Sequence, residues 1–193
     1  MQDTNLLFPI FLKLEELPVL LIGGGYVAHE KLEAMLGNAP KTNITLVATQ
    51  ISAIIKEMAI EFPNLTLLER PYETTDLGVA TLIIVAINDV ARSAEIRTEA
   101  KALGKLINVA DKPARCDFYL SSIVKKGNLK IAISTNGKSP TLAKRIKEVL
   151  NDILPEEVNA LMDNLGAIRD QLKGDFAHKV KELNKITSSL VGK

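Results

Sequence analysis

A chain of 193 residues, 47% apolar and 24% charged, can bury one full-sized core with a smaller appendage and fits neither a disordered nor a fibrous protein. Its 24 Lys and Arg against 23 Asp and Glu leave a net charge of +1, which excludes a global electrostatic pull toward nucleic acid or membrane. Cys116, the single cysteine, excludes an intrachain disulfide and a cysteine-based zinc cluster, and suits a reducing compartment.

The start, Met1-Gln2-Asp3-Thr4-Asn5, has none of the basic residues of a secretory leader, so the expected address is the cytoplasm. Phe8 to Leu12 and Val19 to Ile22 are short apolar runs around a charged link, a pattern that predicts a hairpin. After Ile22 come three glycines and then Val27, Leu32, Met35 and Leu36 on one helical face. The same periodicities predict strands at Ile44 to Ala48 and Leu65 to Leu68, with a helix over Ile51 to Phe62 between them. The longest apolar stretch, Val79 to Ile87, is far shorter than the roughly 20 residues that cross a bilayer and reads as a strand buried on both faces. Asp89 is placed to cap a helix that stops at Gly104, and Leu106 to Val109 forms the next strand.

Strand and helix alternate through this first half, which implies a parallel, doubly wound, Rossmann-like sheet over residues 1–112. Phe118 to Val124 and Leu129 to Ser134 then flank Lys125-Lys126-Gly127-Asn128, the signature of a small antiparallel hairpin. Residues 113–140 are expected to hold this hairpin and a loop. Residues 141–193 read as three helices, the first striped by Leu142, Ile146, Val149 and Leu150, with Pro155 opening the second and Gly174 interrupting a later one. Apolar stripes with so little core of their own to cover suggest dimerisation.

The chemistry-bearing feature is Gly23-Gly24-Gly25-Tyr26-Val27-Ala28, a G-x-G-x-x-A turn between a strand and a helix. Gly23 permits the tight turn, Gly25 lets the backbone approach a pyrophosphate, and Ala28 is small enough for helix and strand to touch. The helix start offers N–H groups and a positive dipole end to phosphates, so the turn predicts a bound nicotinamide dinucleotide. Where such folds commonly carry an acid on the ribose, this chain has Ala48-Thr49-Gln50; Thr49 and Gln50 offer hydrogen bonds instead, and the residues alone leave NAD and NADP open. Asn88 and Asp89 follow the fourth strand at the edge of the expected cleft. His29 and His178 lack metal-ligand spacing, so no protein-held metal is expected. Asp111, just before Pro113, is as readily a turn residue as a base on its own evidence.

At Asn108-Val109-Ala110-Asp111-Lys112-Pro113, at Ile133-Ser134-Thr135-Asn136-Gly137-Lys138-Ser139-Pro140 and at the opening Gly-Gly-Gly-x-Val-Ala, the chain closely resembles the siroheme synthase amino-terminal family, the precorrin-2 dehydrogenases and sirohydrochlorin ferrochelatases. The resemblance covers essentially the whole chain, whose length matches the stand-alone form without the methyltransferase domain fused to some relatives. It implies NAD-dependent oxidation of precorrin-2 to sirohydrochlorin and, in some members, insertion of ferrous iron as a substrate. It also implies a catalytic role for Asp111, nucleotide contacts at Tyr26, Val27, Thr49 and Gln50 beside the glycines, and substrate contacts at Asn108, Thr135, Asn136, Gly137, Lys138 and Ser139. Asn136 stands where relatives often have a second glycine; Asn tolerates a left-handed backbone well, so the loop is expected to survive.

From Phe118 to Lys147 there are seven basic residues (Lys125, Lys126, Lys130, Lys138, Lys144, Arg145 and Lys147) and no Asp or Glu, a field that would attract an acidic tetrapyrrole. Few aromatics are interleaved, which argues against nucleic acid. The alternative from another class is a non-catalytic NAD-sensing module, which needs the glycine turn but neither Asp111 nor the Ser134 to Pro140 loop.

Overall fold

The computed structural model describes residues 5–188; Met1 to Thr4, on which much of the leaderless reading rests, lie outside the described residues, as do residues 189–193. The chain forms two compact units that meet between Leu120 and Ser121. In the first, β1 (Val19–Ile22), β2 (Ile44–Ala48), β3 (Leu65–Glu69), β4 (Leu82–Val85) and β5 (Leu106–Val109) make one parallel sheet in the order β3-β2-β1-β4-β5. Helices α1 (Tyr26–Asn38), α2 (Ala53–Glu61) and α3 (Val90–Ala102) connect them, as the alternation predicts.

All four side chains of β1 are buried, because the strand is central and covered on both faces. Leu21 packs into one core with Leu32 and Leu36 of α1 and Ile55 of α2. Leu20 and Ile22 point into the other with Ile83, Ile96 and Leu77, the last from a 3-10 turn between β3 and β4. Ile22 is level with Val47 on one side and Val85 on the other, and Val85 with Val109, so four strands end together and their outgoing loops share one edge. Order reverses between β1 and β4, which makes the crevice above them the switch point of the sheet.

Residues 8–12 do not form the predicted hairpin strand. Both edges of β1 are taken by β2 and β4, so no ladder is left for a neighbour in sequence. Residues 5–12 run without regular structure, with Phe8 and Leu6 largely exposed. Helix α2 starts at Ala53 and not at Ile51, because Ser52 is extended and the Ile51 N–H is accepted by Glu69 Oε1 at 3.0 Å.

The unit boundary also falls later than residue 112. Asp117 folds back on β5, its N–H donating to Ile107 O at 2.8 Å and its carboxylate accepting the Ile107 N–H and Lys101 Nζ, each at 3.1 Å. Phe118 and Leu120 pack against the first core, which is why the hairpin strand starts at Ser122 and not at Phe118.

In the second unit β6 (Ser122–Lys126) pairs antiparallel with β7 (Leu129–Ile133) around Gly127. Three helices follow, α4 (Pro140–Ile153), α5 (Val158–Gln171) and α6 (Phe176–Thr187), so Pro155 precedes α5 by a turn and Gly174 separates α5 from α6. Ser139 caps α4 and Asp175 caps α6, accepting the N–H groups of Leu142 and His178. Helix α4 buries Ala143 and leaves Leu142, Ile146, Val149 and Ile153 exposed along one stripe. Among the described residues no helix is long and apolar enough to cross a membrane.

Replacing the fully buried Leu21 with Ala should lower stability by roughly 2 to 5 kcal/mol, the range for a core leucine that leaves a cavity. A urea titration measures it, and a loss below ~1 kcal/mol would contradict the central placement of β1.

Candidate functional site

A cleft of about 900 Å³ opens at the carboxyl ends of the strands. Its floor is the glycine bend. Gly23 has φ +126°, and a Cβ there would collide with the Ala86 carbonyl at the end of β4. Its N–H donates to Val47 O at 2.9 Å. Gly24 is pressed against the Gln50 carbonyl in the same way, and its own carbonyl accepts the Ser52 N–H at 2.9 Å. These two glycines let three loops touch.

Gly25 differs. It lines the cleft, and a Cβ built on it meets nothing within 4 Å, so this glycine is not required by close backbone contact as the other two are. Gly25 is also the N-cap of α1, a helix with no side-chain cap and no acid in its first turn. Uncapped N–H groups at a positive dipole end, opening on the cleft, suit the pyrophosphate of a dinucleotide. Ala28 sits behind the bend, fully buried against the sheet.

Of the other expected nucleotide contacts, Tyr26, Val27, Thr49, Gln50 and Asn88 all line this cleft. So does Asp89, whose carboxylate caps α3 by accepting the Arg92 N–H at 2.9 Å. Sequence reasoning missed the wall contributed by Pro71, Tyr72 and Arg92. The Tyr72 hydroxyl donates to Glu99 Oε2 at 2.6 Å, Thr74 Oγ1 donates to the same oxygen at 3.1 Å, and the Arg92 guanidinium lies 5.2 Å from the Tyr72 ring centre. Burial, with the Glu99 bond second, pushes the Tyr72 phenol well above its ordinary range and keeps it a donor. These residues meet only through the fold, and no local motif marks them.

Asp111 lies on the rim of the same cleft, exposed, just past β5. It has φ +57°, a left-handed conformation that costs a non-glycine residue energy and must be held in place. The Ala110 N–H continues the ladder to Val85 O at 2.9 Å, and Lys112 N–H closes a turn onto Val109 O at 3.2 Å. The Cys116 thiol bridges both sides of this turn: it accepts the Val109 N–H at 3.3 Å and lies 3.2 Å from Val109 O and 3.3 Å from Lys112 O, to which its proton can be given. Burial pushes the Cys116 thiol up, so it remains a protonated donor. Arg115 Nη1 donates to Val90 O at 2.8 Å and Arg97 Nε to Arg115 O at 3.2 Å, tying the segment to α3.

Asn108, an expected substrate contact, is 5% exposed and is not among the residues that line the cleft. Its Nδ2 donates to Phe118 O at 2.8 Å and lies 3.5 Å from Cys116 Sγ, which ties the returning segment to β5.

The remaining expected substrate residues belong to the second unit. Thr135 Oγ1 donates to Ser139 O at 3.0 Å and accepts the Ser139 N–H at 3.2 Å, closing a ring around Asn136, Gly137 and Lys138. Asn136 has φ +54°, the left-handed conformation for which Asn substitutes for glycine. Lys138 is exposed on this loop. The basic stretch is partly neutralised by residues just beyond it, since Lys126 pairs with Glu156 and Arg145 with Glu148. His29 lies 3.8 Å from Glu33, and His178 packs on Gly174. Among the described residues no group of three or more His, Cys, Asp or Glu could hold a metal ion.

A family model for NAD(P)-binding proteins matches residues 10–122, and one for the central part of a sirohaem biosynthesis protein matches residues 126–152. The chain is 34% identical over 165 residues to a siroheme synthase 2 of Aeromonas hydrophila subsp. hydrophila, covering 86% of this chain and 34% of the relative. It is 34% identical over 166 residues to a siroheme synthase of Psychrobacter sp., covering 86% and 34%. The chain thus spans about a third of the length of these curated relatives. Among solved structures it resembles SirC, a precorrin-2 dehydrogenase, with a TM-score of 0.71 and 28% identity over 93% of this chain and 89% of that one.

The glycine bend makes a paired prediction. Gly25→Ala should leave the melting temperature unchanged but weaken dinucleotide binding by roughly tenfold or more, because it adds a methyl group at a residue that lines the cleft. Gly24→Ala should destabilise the fold by roughly 1 to 3 kcal/mol, because its Cβ meets backbone. Calorimetry on both variants checks this, and equal affinity in Gly25→Ala would remove the pyrophosphate from that position.

Proposed function

Since the chain belongs to the NAD(P)-binding family, we propose that it is a dehydrogenase that oxidises precorrin-2 to sirohydrochlorin with NAD as hydride acceptor. The observation that carries this reading is that Asp111, a carboxylate on a pinned turn, and Gly25, the open position of the bend, line one cleft. The likeness to SirC over nearly the full length of both chains supports it.

Desaturation of a tetrapyrrole removes a hydride and a proton. When bound, the nicotinamide supplies the two-electron acceptor, and the products are sirohydrochlorin, NADH and a proton. The glycine bend and the first N–H groups of α1 hold the pyrophosphate, and Thr49, Gln50 and Asn88 flank the riboses. Asp111 takes the proton: it is exposed on the rim, on a turn whose backbone is held from both sides, which keeps the base at the cleft edge. Thr135, Asn136, Gly137, Lys138 and Ser139 bind the acetate and propionate groups, with the Lys138 ammonium as the charge and the ring closed by Thr135 as its support.

The same carboxylate serves a second reaction in this proposal, insertion of ferrous iron as a substrate. The macrocycle offers four nitrogens, and the two protons displaced by the metal need an acceptor. The chain acts as a homodimer, for which the exposed stripe on α4 is the supporting observation, and its address is the cytoplasm, consistent with its single reduced cysteine.

Precorrin-2 mixed with the protein and NAD should produce NADH absorbance, and sirohydrochlorin with ferrous ion should give siroheme. Asp111→Asn should lower dehydrogenase turnover by roughly 10² to 10⁴ while leaving NAD affinity within twofold or so of wild type. Full turnover in that variant would end the assignment. Val149→Glu, placed on the exposed stripe, should shift sedimentation from dimer to monomer without a loss of helix content; a wild-type monomer refutes the dimer.

A further inference from the structure

The β2 end that an adenine ribose would approach has no acid of its own, only Ala48-Thr49-Gln50. A carboxylate reaches it from the neighbouring strand. Ala48 is level with Glu69 in the β2–β3 register. Glu69 Oε1 accepts the N–H of Ile51 at 3.0 Å, and Ile51 directly follows Gln50, which lines the cleft. Glu69 Oε2 accepts from Lys56 Nζ of α2 at 2.8 Å. The Lys56 ammonium, and after it the Ile51 amide, hold the Glu69 carboxyl below its usual range, so it is charged at neutral pH. The cation on the cleft wall, Arg92, is engaged by Glu95 at 2.7 Å.

We propose that Glu69 makes the cleft select the non-phosphorylated dinucleotide over its 2′-phosphorylated counterpart, by placing a negative charge beside the ribose end and by holding Lys56 away from it. The inference rests on the NAD reading above and names the group that decides between the two cofactors. Folds of this class choose NAD with an acid at the end of the second strand and accept NADP with a cation nearby. Here both parts are present as an ion pair, one from β3 and one from α2. A 2′-phosphate meets the repulsion of the carboxylate and finds the ammonium already paired. Removing the carboxylate reverses both effects at once, whereas removing the ammonium leaves the repulsion uncompensated.

The test is binding of NADH and of NADPH to the full chain, followed by nicotinamide fluorescence in wild type, Glu69→Gln, Lys56→Ala and the double variant. Wild type should favour NADH. Glu69→Gln should narrow the NADH-to-NADPH affinity ratio by roughly fivefold to tenfold, the sum of two exposed-charge interactions, with the change shrinking as salt rises. Adding Lys56→Ala should remove most of that gain, and Lys56→Ala alone should widen the ratio. An unchanged ratio in Glu69→Gln overturns the proposal, as does a wild type that prefers NADPH. If Glu69→Gln does not fold, by circular dichroism, Lys56→Ala decides: a ratio that fails to widen overturns it. Binding of neither nucleotide sinks both this inference and the dehydrogenase reading. Loss of the precorrin-2 reaction with the Glu69 effect intact removes only the proposed reaction.

Discussion

Three backbone segments meet at the end of β1 with no side chain between them. Gly23 lies against the Ala86 carbonyl and Gly24 against the Gln50 carbonyl, so the loops leaving β1, β2 and β4 are brought closer than any Cβ would permit. This contact depends on β1 being the central strand, level with β2 and β4 at Ile22, Val47 and Val85. Level strand ends align the loops, and aligned loops make the cleft. The start of α1, the β2 end with Thr49 and Gln50, and the β4 end with Asn88 all take their places from that contact, while Gly25 lines the cleft without such a contact.

The far end of the cleft is held by different means. Asp111 has a left-handed backbone, and the chain stabilises it with the segment that follows, through Cys116, Arg115 and Asp117. A strained residue is retained only where its surroundings over-determine it. The thiol achieves this with weak bonds in a partly buried position, and its raised pKa keeps the proton that those bonds need. The lone cysteine thus supports the turn that carries the carboxylate.

How much of this could be read from residues alone varies with the range of the interaction. The β1–glycine–α1 unit was legible because its signals are local: a buried strand, a turn that needs glycine and a helical face at 3.6-residue spacing. Asp89 as a cap and Asn136 as a left-handed residue were legible for the same reason. The apolar run at residues 8–12 looked like a strand, since its length and composition fit one, but a strand needs a free edge and β1 has none. The positive φ of Asp111, the burial of Asn108 and the Tyr72–Glu99–Arg92 wall each depend on partners many residues away, and no periodicity encodes those. The unit boundary shifted past 112 because Asp117 and Phe118 bond back to β5, which composition cannot reveal.

The returning segment has an effect on assembly as well. A terminal strand normally presents a row of free amides and carbonyls that another chain can extend. On β5, Asp117 satisfies both polar groups of Ile107, and Cys116 engages both of Val109. The sheet is therefore sealed along that flank by its own chain. A second copy cannot be recruited there by continuing the ladder, which keeps the flank next to the turn of the carboxylate free of intermolecular strand pairing.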